Sequence, residues 1–171
     1  MDFVSDALKC GRRFRTLNIV DDFNREALAI EIDLNLPALR VIRTLERLIA
    51  WLGTPSKIRV DNGPEFIAMA IAEWAEEYRI LLDFIEPGKP TQNSFIERFQ
   101  RTYRNELLDI YVFSSLNQLR EITDEGMLEY SEDRPRDSLE DLAPNSYLAK
   151  YELGKHLIQS VTKQGWLQSD L

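Results

Sequence analysis

Two short segments constrain the fold most: Val60-Asp61-Asn62-Gly63-Pro64-Glu65-Phe66 and Gly88-Lys89-Pro90-Thr91-Gln92-Asn93-Ser94-Phe95-Ile96-Glu97-Arg98-Phe99, with 35 residues between Asp61 and Glu97. In the first, the β-prone run Lys57-Ile58-Arg59-Val60 meets a turn signal, and Pro64 suits the first position of a new helix. Asp61 is therefore expected at the mouth of a strand. In the second, Ile96, Phe99, Tyr103 and Leu107 recur at helical spacing after Pro90 and a candidate N-cap, Thr91. Glu97 is thus expected on a helix, from which a long-armed carboxylate can reach back toward the strand end. Taken singly, each acid has an ordinary reading: Asp61 as a turn and cap residue, and Glu97 as the partner of Arg101 one helical turn on.

The rest of the chain follows the same periodicities. Met1-Asp2-Phe3-Val4 reads as the end of a strand that has lost its beginning. Phe14 to Val20 and Ala27 to Ile32 are strand-like on either side of Asp21-Asp22-Phe23-Asn24, which predicts a hairpin. Asp21 and Asp22, two adjacent acids after a strand, could bind metal, but are read first as turn residues that bond their own backbone. Ala38, Val41, Ile42, Leu45, Leu48, Ile49 and Leu52 form one helical stripe, closed by Gly53 and Pro55. A helix carrying Ile67, Ile71, Trp74, Ala75 and Tyr78 follows Asp61, with Trp74 in the core. Ile80 to Ile85 reads as a central strand, because it is almost continuously apolar.

Pro87-Gly88-Lys89-Pro90 is the loop that delivers the Glu97 helix. A further helix is expected from Ser115 to about Tyr130 with Gly126 as its weak point, and Pro144 opens a last short one through Tyr151. The tail, with His156 and Trp166, carries no readable signal. The expected class is α/β: a mixed sheet of a three-strand antiparallel meander plus right-handed parallel crossovers, flanked by helices, with a C-terminal helical extension. Residues 1–143 are expected to form one core and residues 144–171 a helix and tail.

Asp-Asn-Gly-Pro-Glu-Phe, the spacing, and Gly-Lys-Pro-Thr-Gln-Asn-x-Phe-Ile-Glu-Arg-Phe together resemble the second and third acidic motifs of the Asp-Asp-Glu transposases of bacterial insertion sequences, relatives of retroviral integrases. The matched motifs run from about Asp2 to Pro144. Tyr130 to Leu139 resembles the family's closing Tyr-Asn-x-x-Arg-Pro-His-x-Ser-Leu motif, with Ser131 and Arg136 where Asn and His are usual. The resemblance implies a ribonuclease-H-like fold and an integrase-type catalytic core for DNA strand cleavage and strand transfer. It implies Asp2, from the Asp-Phe match, as the first catalytic acid beside Asp61 and Glu97. It further implies an N-terminal helical DNA-recognition region ahead of such a core.

Composition narrows the chemistry. His156 is the sole histidine and Cys10 the sole cysteine, which excludes a His/Cys zinc site, an ordinary Ser-His pair and an internal disulfide. A reducing cytoplasm is the natural setting, and the resemblance implies a bacterial one. Phosphodiester cleavage by in-line attack is served by two metal ions about 3.5 to 4 Å apart, and Mg²⁺ (or Mn²⁺) takes oxygen ligands. By resemblance, Asp2, Asp61 and Glu97 hold the pair, water is the first nucleophile and the freed 3′ hydroxyl the second.

The net charge of −8 argues against DNA binding by bulk electrostatics. Locally, Lys89, Arg98, Arg101 and Arg104 surround Glu97, and the helix presents Asn93, Gln100, Arg101 and Arg104 along one side. Lys89, Gln92, Asn93, Arg101 and Arg104 are the expected contacts to DNA, both transposon ends and target, with self-association during transposition. Apolar runs fall well short of the roughly 18 residues that a membrane span needs, so no membrane partner is expected. Two rivals remain: a ribonuclease-H-like nuclease acting on hybrids, and an inactive fragment that binds DNA or intact transposase.

Overall fold

The computed structural model describes residues 1–86 and 93–153, apart from the side chain of Glu65. Strands β1 (Asp2–Ala7), β2 (Arg13–Val20) and β3 (Ala27–Asp33) form an antiparallel meander with β2 in the middle. Asp2 lies opposite Asn18, and Leu17 pairs with Phe3 on one side and Glu31 on the other. Because strand side chains alternate, Leu17 and Ile19 enter one core while Phe14 enters the other. The meander is therefore covered on both faces. Helix α1 (Ala38–Leu52) packs over the first face and ends at Gly53, whose φ of 86° lets its N–H return to the Ile49 carbonyl.

Strands β4 (Lys57–Val60) and β5 (Leu81–Phe84) are parallel, with Val60 opposite Phe84. The expected mixed sheet is realised as two ladders. The Met1 amine ties them together by donating to the Arg59 carbonyl at 2.7 Å. The central position expected for the second strand of this pair is corrected. Leu81 and Phe84 of β5 are exposed, so its apolar run marks β-propensity rather than burial on two faces.

The single helix expected after Asp61 is also corrected. It breaks at Ala68 (φ −56°, ψ 133°) into α2 (Pro64–Ile67) and α3 (Met69–Glu77). Phe66 and Ile71 are both completely buried in the same core, yet five residues along a straight helix turn a side chain by about 140°. The break lets both point inward. Trp74 is buried as expected.

On the second face lie α4 (Ser94–Tyr103), one π-helical turn (Arg104–Leu108) and α5 (Leu116–Glu132). The Ser115 hydroxyl accepts the Gln118 N–H and starts α5. Gly126 is no mere weak point, because a Cβ there would stand 3.1 Å from Leu107 Cδ1. The glycine permits α5 to close on the π turn. A last helix runs through 144–153 of the described residues, past the expected end at Tyr151, and Tyr147 and Tyr151 pack on Phe23 of the β2–β3 turn. Among the described residues no helix is long and apolar enough to cross a membrane.

Tyr103 and Thr123 share a buried hydroxyl–hydroxyl hydrogen bond of 2.9 Å between the π-turn end of α4 and α5. Burial pushes the Tyr103 phenol from 10.0 up to about 12. The unfolded chain then releases this proton more readily than the folded one. The contribution is intact below pH 10.0 and is lost as pH rises from there towards about 12. Tyr103→Phe is expected to cost about 1–2 kcal/mol at neutral pH, because it strands the Thr123 hydroxyl, and to flatten the alkaline loss. Urea titrations at pH 7 and above pH 10 measure both effects.

Candidate active site

Asp2 opens β1 and is held in register against Asn18 of the central strand, so its backbone is fixed by the meander. Its Oδ1 accepts the N–H of Phe3 at 2.6 Å. Burial raises its carboxyl above the usual range and the Asp61 charge adds to the rise, whereas hydrogen bonds from the Phe3 backbone and from the Gln100 side chain oppose it. Asp61 immediately follows β4 and its Oδ1 accepts the Gly63 N–H at 3.1 Å. A Cβ on Gly63 would lie 3.0 Å from that oxygen, so glycine lets the turn fold against the carboxylate. Asn62 completes the turn by donating to the Ile85 carbonyl beyond β5.

Two aromatic rings couple the strand ends. Phe3, next to Asp2, stacks on Phe66 of the Asp61 motif at 5.0 Å between centroids. From the other side α4 reaches the same place, where Gln100 donates to the Phe3 carbonyl at 3.5 Å. Glu97 stands on the first turn of α4 and is exposed. The structure thus brings Asp2 and Asp61 into each other's field, with Glu97 on the neighbouring helix. Among the described residues no three His, Cys, Asp or Glu side chains gather closely enough to hold a metal ion. The donor chemistry nevertheless fits a hard divalent cation: carboxylate oxygens only, and a mutual repulsion between Asp2 and Asp61 that a cation would relieve.

The expected DNA contacts separate. Asn93 occupies the N-cap position of α4, half-buried, without capping it by its side chain, and Arg101 is exposed in the last turn. Lys89 and Gln92 lie outside the described residues, as do His156 and the tail. Arg104 departs from the helix face it was expected to share, because it belongs to the π turn. There it pairs with Asp6 at 3.2 Å and Asp109 at 3.5 Å and donates to the Ser5 carbonyl, which fastens the turn to β1. Gln100 likewise turns to β1. Asp21 bonds the Phe23 N–H as a turn residue, and Asp22 pairs with Arg59 at 2.9 Å.

Sequence reasoning missed two arginines. Arg25 lies 3.3 Å over the Phe95 ring and Arg136 lies 4.0 Å over Tyr130. The one available signal was Arg136 standing where the closing motif usually has histidine.

An antiparallel meander and a parallel pair joined by helices define the ribonuclease-H-like fold class. Solved structures share this fold. The catalytic core of BIV integrase matches with a TM-score of 0.65 at 16% identity, covering 91% of this chain and 96% of that one. The HTLV-2 integrase catalytic core, solved in complex with magnesium in a trimeric form, matches with a TM-score of 0.58 at 15% identity, covering 85% and 94%.

One Integrase core domain model matches residues 1–90, more than half of the chain, and a second with the same description matches residues 78–144. The chain belongs to the integrase core domain family. The uncharacterized 31.7 kDa protein of insertion element IS407 from Burkholderia multivorans is 40% identical over 151 residues, which are 88% of this chain and 54% of that relative. The chain spans about half the length of this curated relative.

Proposed function

We propose that this chain is the catalytic core of an insertion-sequence transposase, a polynucleotidyl transferase that cleaves DNA strands and joins them to a target. The observation that carries the reading is the adjoining pair, Asp2 at the start of β1 and Asp61 at the end of β4, on an integrase-core fold. Asp2, Asp61 and Glu97 are the proposed catalytic and metal-holding residues for Mg²⁺ or Mn²⁺, two ions in all. Bound divalent ions supply charge neutralisation at the attacking and leaving oxygens of an in-line displacement.

The chain's own groups do the positioning. The Gly63 N–H orients the Asp61 carboxylate, the Phe3–Phe66 stack fixes the spacing of the strand ends, and Gln100 holds α4 against β1. Glu97, exposed on the first turn of α4, is the proposed third ligand. Asn93 and Arg101, with Lys89, Gln92 and Arg104, are the proposed DNA contacts. The ion pairs of Arg104 give it a structural duty as well. Self-association during transposition and a bacterial cytoplasmic setting complete the proposal.

The test is binding and cleavage on defined substrates. Affinity for duplex DNA is expected to be nearly independent of sequence and to fall steeply with salt, because phosphate contacts release counterions. Arg101→Ala is expected to flatten the salt slope by about one contact. An Arg101→Ala chain with the parent's affinity and slope would place the DNA path elsewhere. Metal-dependent cleavage of RNA/DNA hybrid with duplex DNA untouched would replace the transposase by a ribonuclease-H-like nuclease.

A further inference from the structure

Three arginines converge where the β2–β3 turn, the start of α4 and the segment after α5 meet. Arg25, Arg98 and Arg136 line one small cleft with Ser138, against the rings of Phe95 and Tyr130. Among the described residues none of the three makes an ion pair, whereas Arg40, Arg104 and Arg134 each have a carboxylate partner. Asp21 and Asp22 act on Arg25 only through space. Nε and Nη1 of Arg25 and Nε and Nη2 of Arg136 are buried without a hydrogen-bond partner. The faces of Phe95 and Tyr130 and a hydrogen bond between the Arg136 and Tyr130 side chains offset part of the charge, but a folded protein rarely leaves four such donors without an acceptor.

The geometry specifies what would satisfy them. Nε and Nη2 of Arg136 form the side edge of its guanidinium, two parallel donors matched to two oxygens of one oxyanion. Arg25 offers further donors to a third oxygen, which a tetrahedral phosphate has and a carboxylate lacks. Arg25 also holds a φ of 63°, a left-handed conformation uncommon for arginine and of the kind retained at binding sites. A neighbouring depression shares Val20 and Phe95 with this cleft. It runs past Asn93 to Met1 and Arg59, which adjoin Asp2 and lie just ahead of Asp61.

We infer that the Arg25–Arg98–Arg136 cleft is an oxyanion subsite that takes one backbone phosphate of the DNA strand lying along α4. The assignment of that phosphate to DNA rests on the transposase reading; the oxyanion chemistry does not.

Two measurements on the whole chain test it. Melting is followed while chloride is exchanged for inorganic phosphate at constant ionic strength, and binding of a labelled DNA duplex is followed by anisotropy across a salt series. Phosphate at ten times its Kd is expected to raise the parent's melting temperature by about 3–6 °C. Ser138→Asp, at an exposed position, places a carboxylate beside the three guanidinium groups. It is expected to raise the phosphate-free melting temperature and to abolish the phosphate response. Arg136→Gln is expected to abolish that response too, and to reduce the DNA salt slope by about one.

A parent that does not respond to phosphate, or a response retained by both variants, overturns the subsite. A phosphate response lost in Arg136→Gln with DNA affinity and slope unchanged overturns the assignment to DNA and leaves a site for free phosphate. A parent that responds to phosphate but binds no duplex at low salt overturns the transposase reading instead.

Discussion

Mn²⁺ or Mg²⁺ is expected to raise the melting temperature of the metal-free chain, by about 5–10 °C at one hundred times Kd, and Asp61→Asn is expected to abolish the rise. The physical source is the burial of the Asp2 carboxylate, to which the charge of Asp61 at the adjoining strand end adds. Asp2 carries its signature: burial first, then the Asp61 charge, lifts its carboxyl above 3.8. For an acid raised in this way the folded state binds the proton more tightly than the unfolded one, so stability falls as pH rises from 3.8 through the raised value. Above the raised value that cost is fully present.

Asp2→Asn is therefore expected to melt higher than the parent without metal and to gain little when metal is added. Glu97→Gln, at an exposed position, should leave metal-free melting unchanged and reduce the gain from metal. Nicking of plasmid DNA should fall at least about 100-fold in the Asp2 and Asp61 variants, since loss of a residue that merely hydrogen-bonds a metal ligand already costs about 10–100-fold in metal affinity. A metal response that survives both Asp2→Asn and Asp61→Asn would dismiss this site.

Phe66→Ala carries the second large effect. Its ring is completely buried and stacks on Phe3, so truncation removes the contact that couples the Asp61 turn to the Asp2 strand. A cost of about 3–5 kcal/mol in urea unfolding is expected. Phe66→Leu keeps an apolar side chain there and should cost less. It still loses the flat ring that sets the spacing, so nicking should fall more than stability does. A loss under about 1 kcal/mol for Phe66→Ala would show that the two strand ends are aligned by other contacts.

What could be read without coordinates was what neighbouring residues decide among themselves. Lys57 to Val60 followed by Asn62-Gly63-Pro64 places Asp61 at a strand end, and the spacing of Ile96, Phe99 and Tyr103 places Glu97 on a helix. The break at Ala68 was hidden, because nothing local opposes a continuous helix there. Only the shared core of Phe66 and Ile71 requires it. The role of Arg104 was hidden for a related reason: Asp6, its partner, is 98 positions away in sequence. Arg25 and Arg136, far apart in sequence, meet only once the β2–β3 turn and the segment after α5 close around α4. The net charge of −8 masked them, as a whole-chain sum must when cations are gathered at one place.

The π turn after α4 has a consequence for how this helix can be edited. Its closing bond, Asp109 N–H to the Arg104 carbonyl at 2.8 Å, encloses one residue more than an α turn, and Leu107 and Leu108 are both buried there. The face of α4 that carries Glu97 and Gln100 and the buried pair Leu107 and Leu108 at the helix end are therefore phased separately. Removing one residue from the turn would restore α geometry and rotate the helix end against the Glu97 face by about 100°. Either the acid or the leucines would then face the wrong way. The turn behaves as a splice between two reading phases of one helix, and the length of this short stretch is under tighter constraint than the identity of most of its residues.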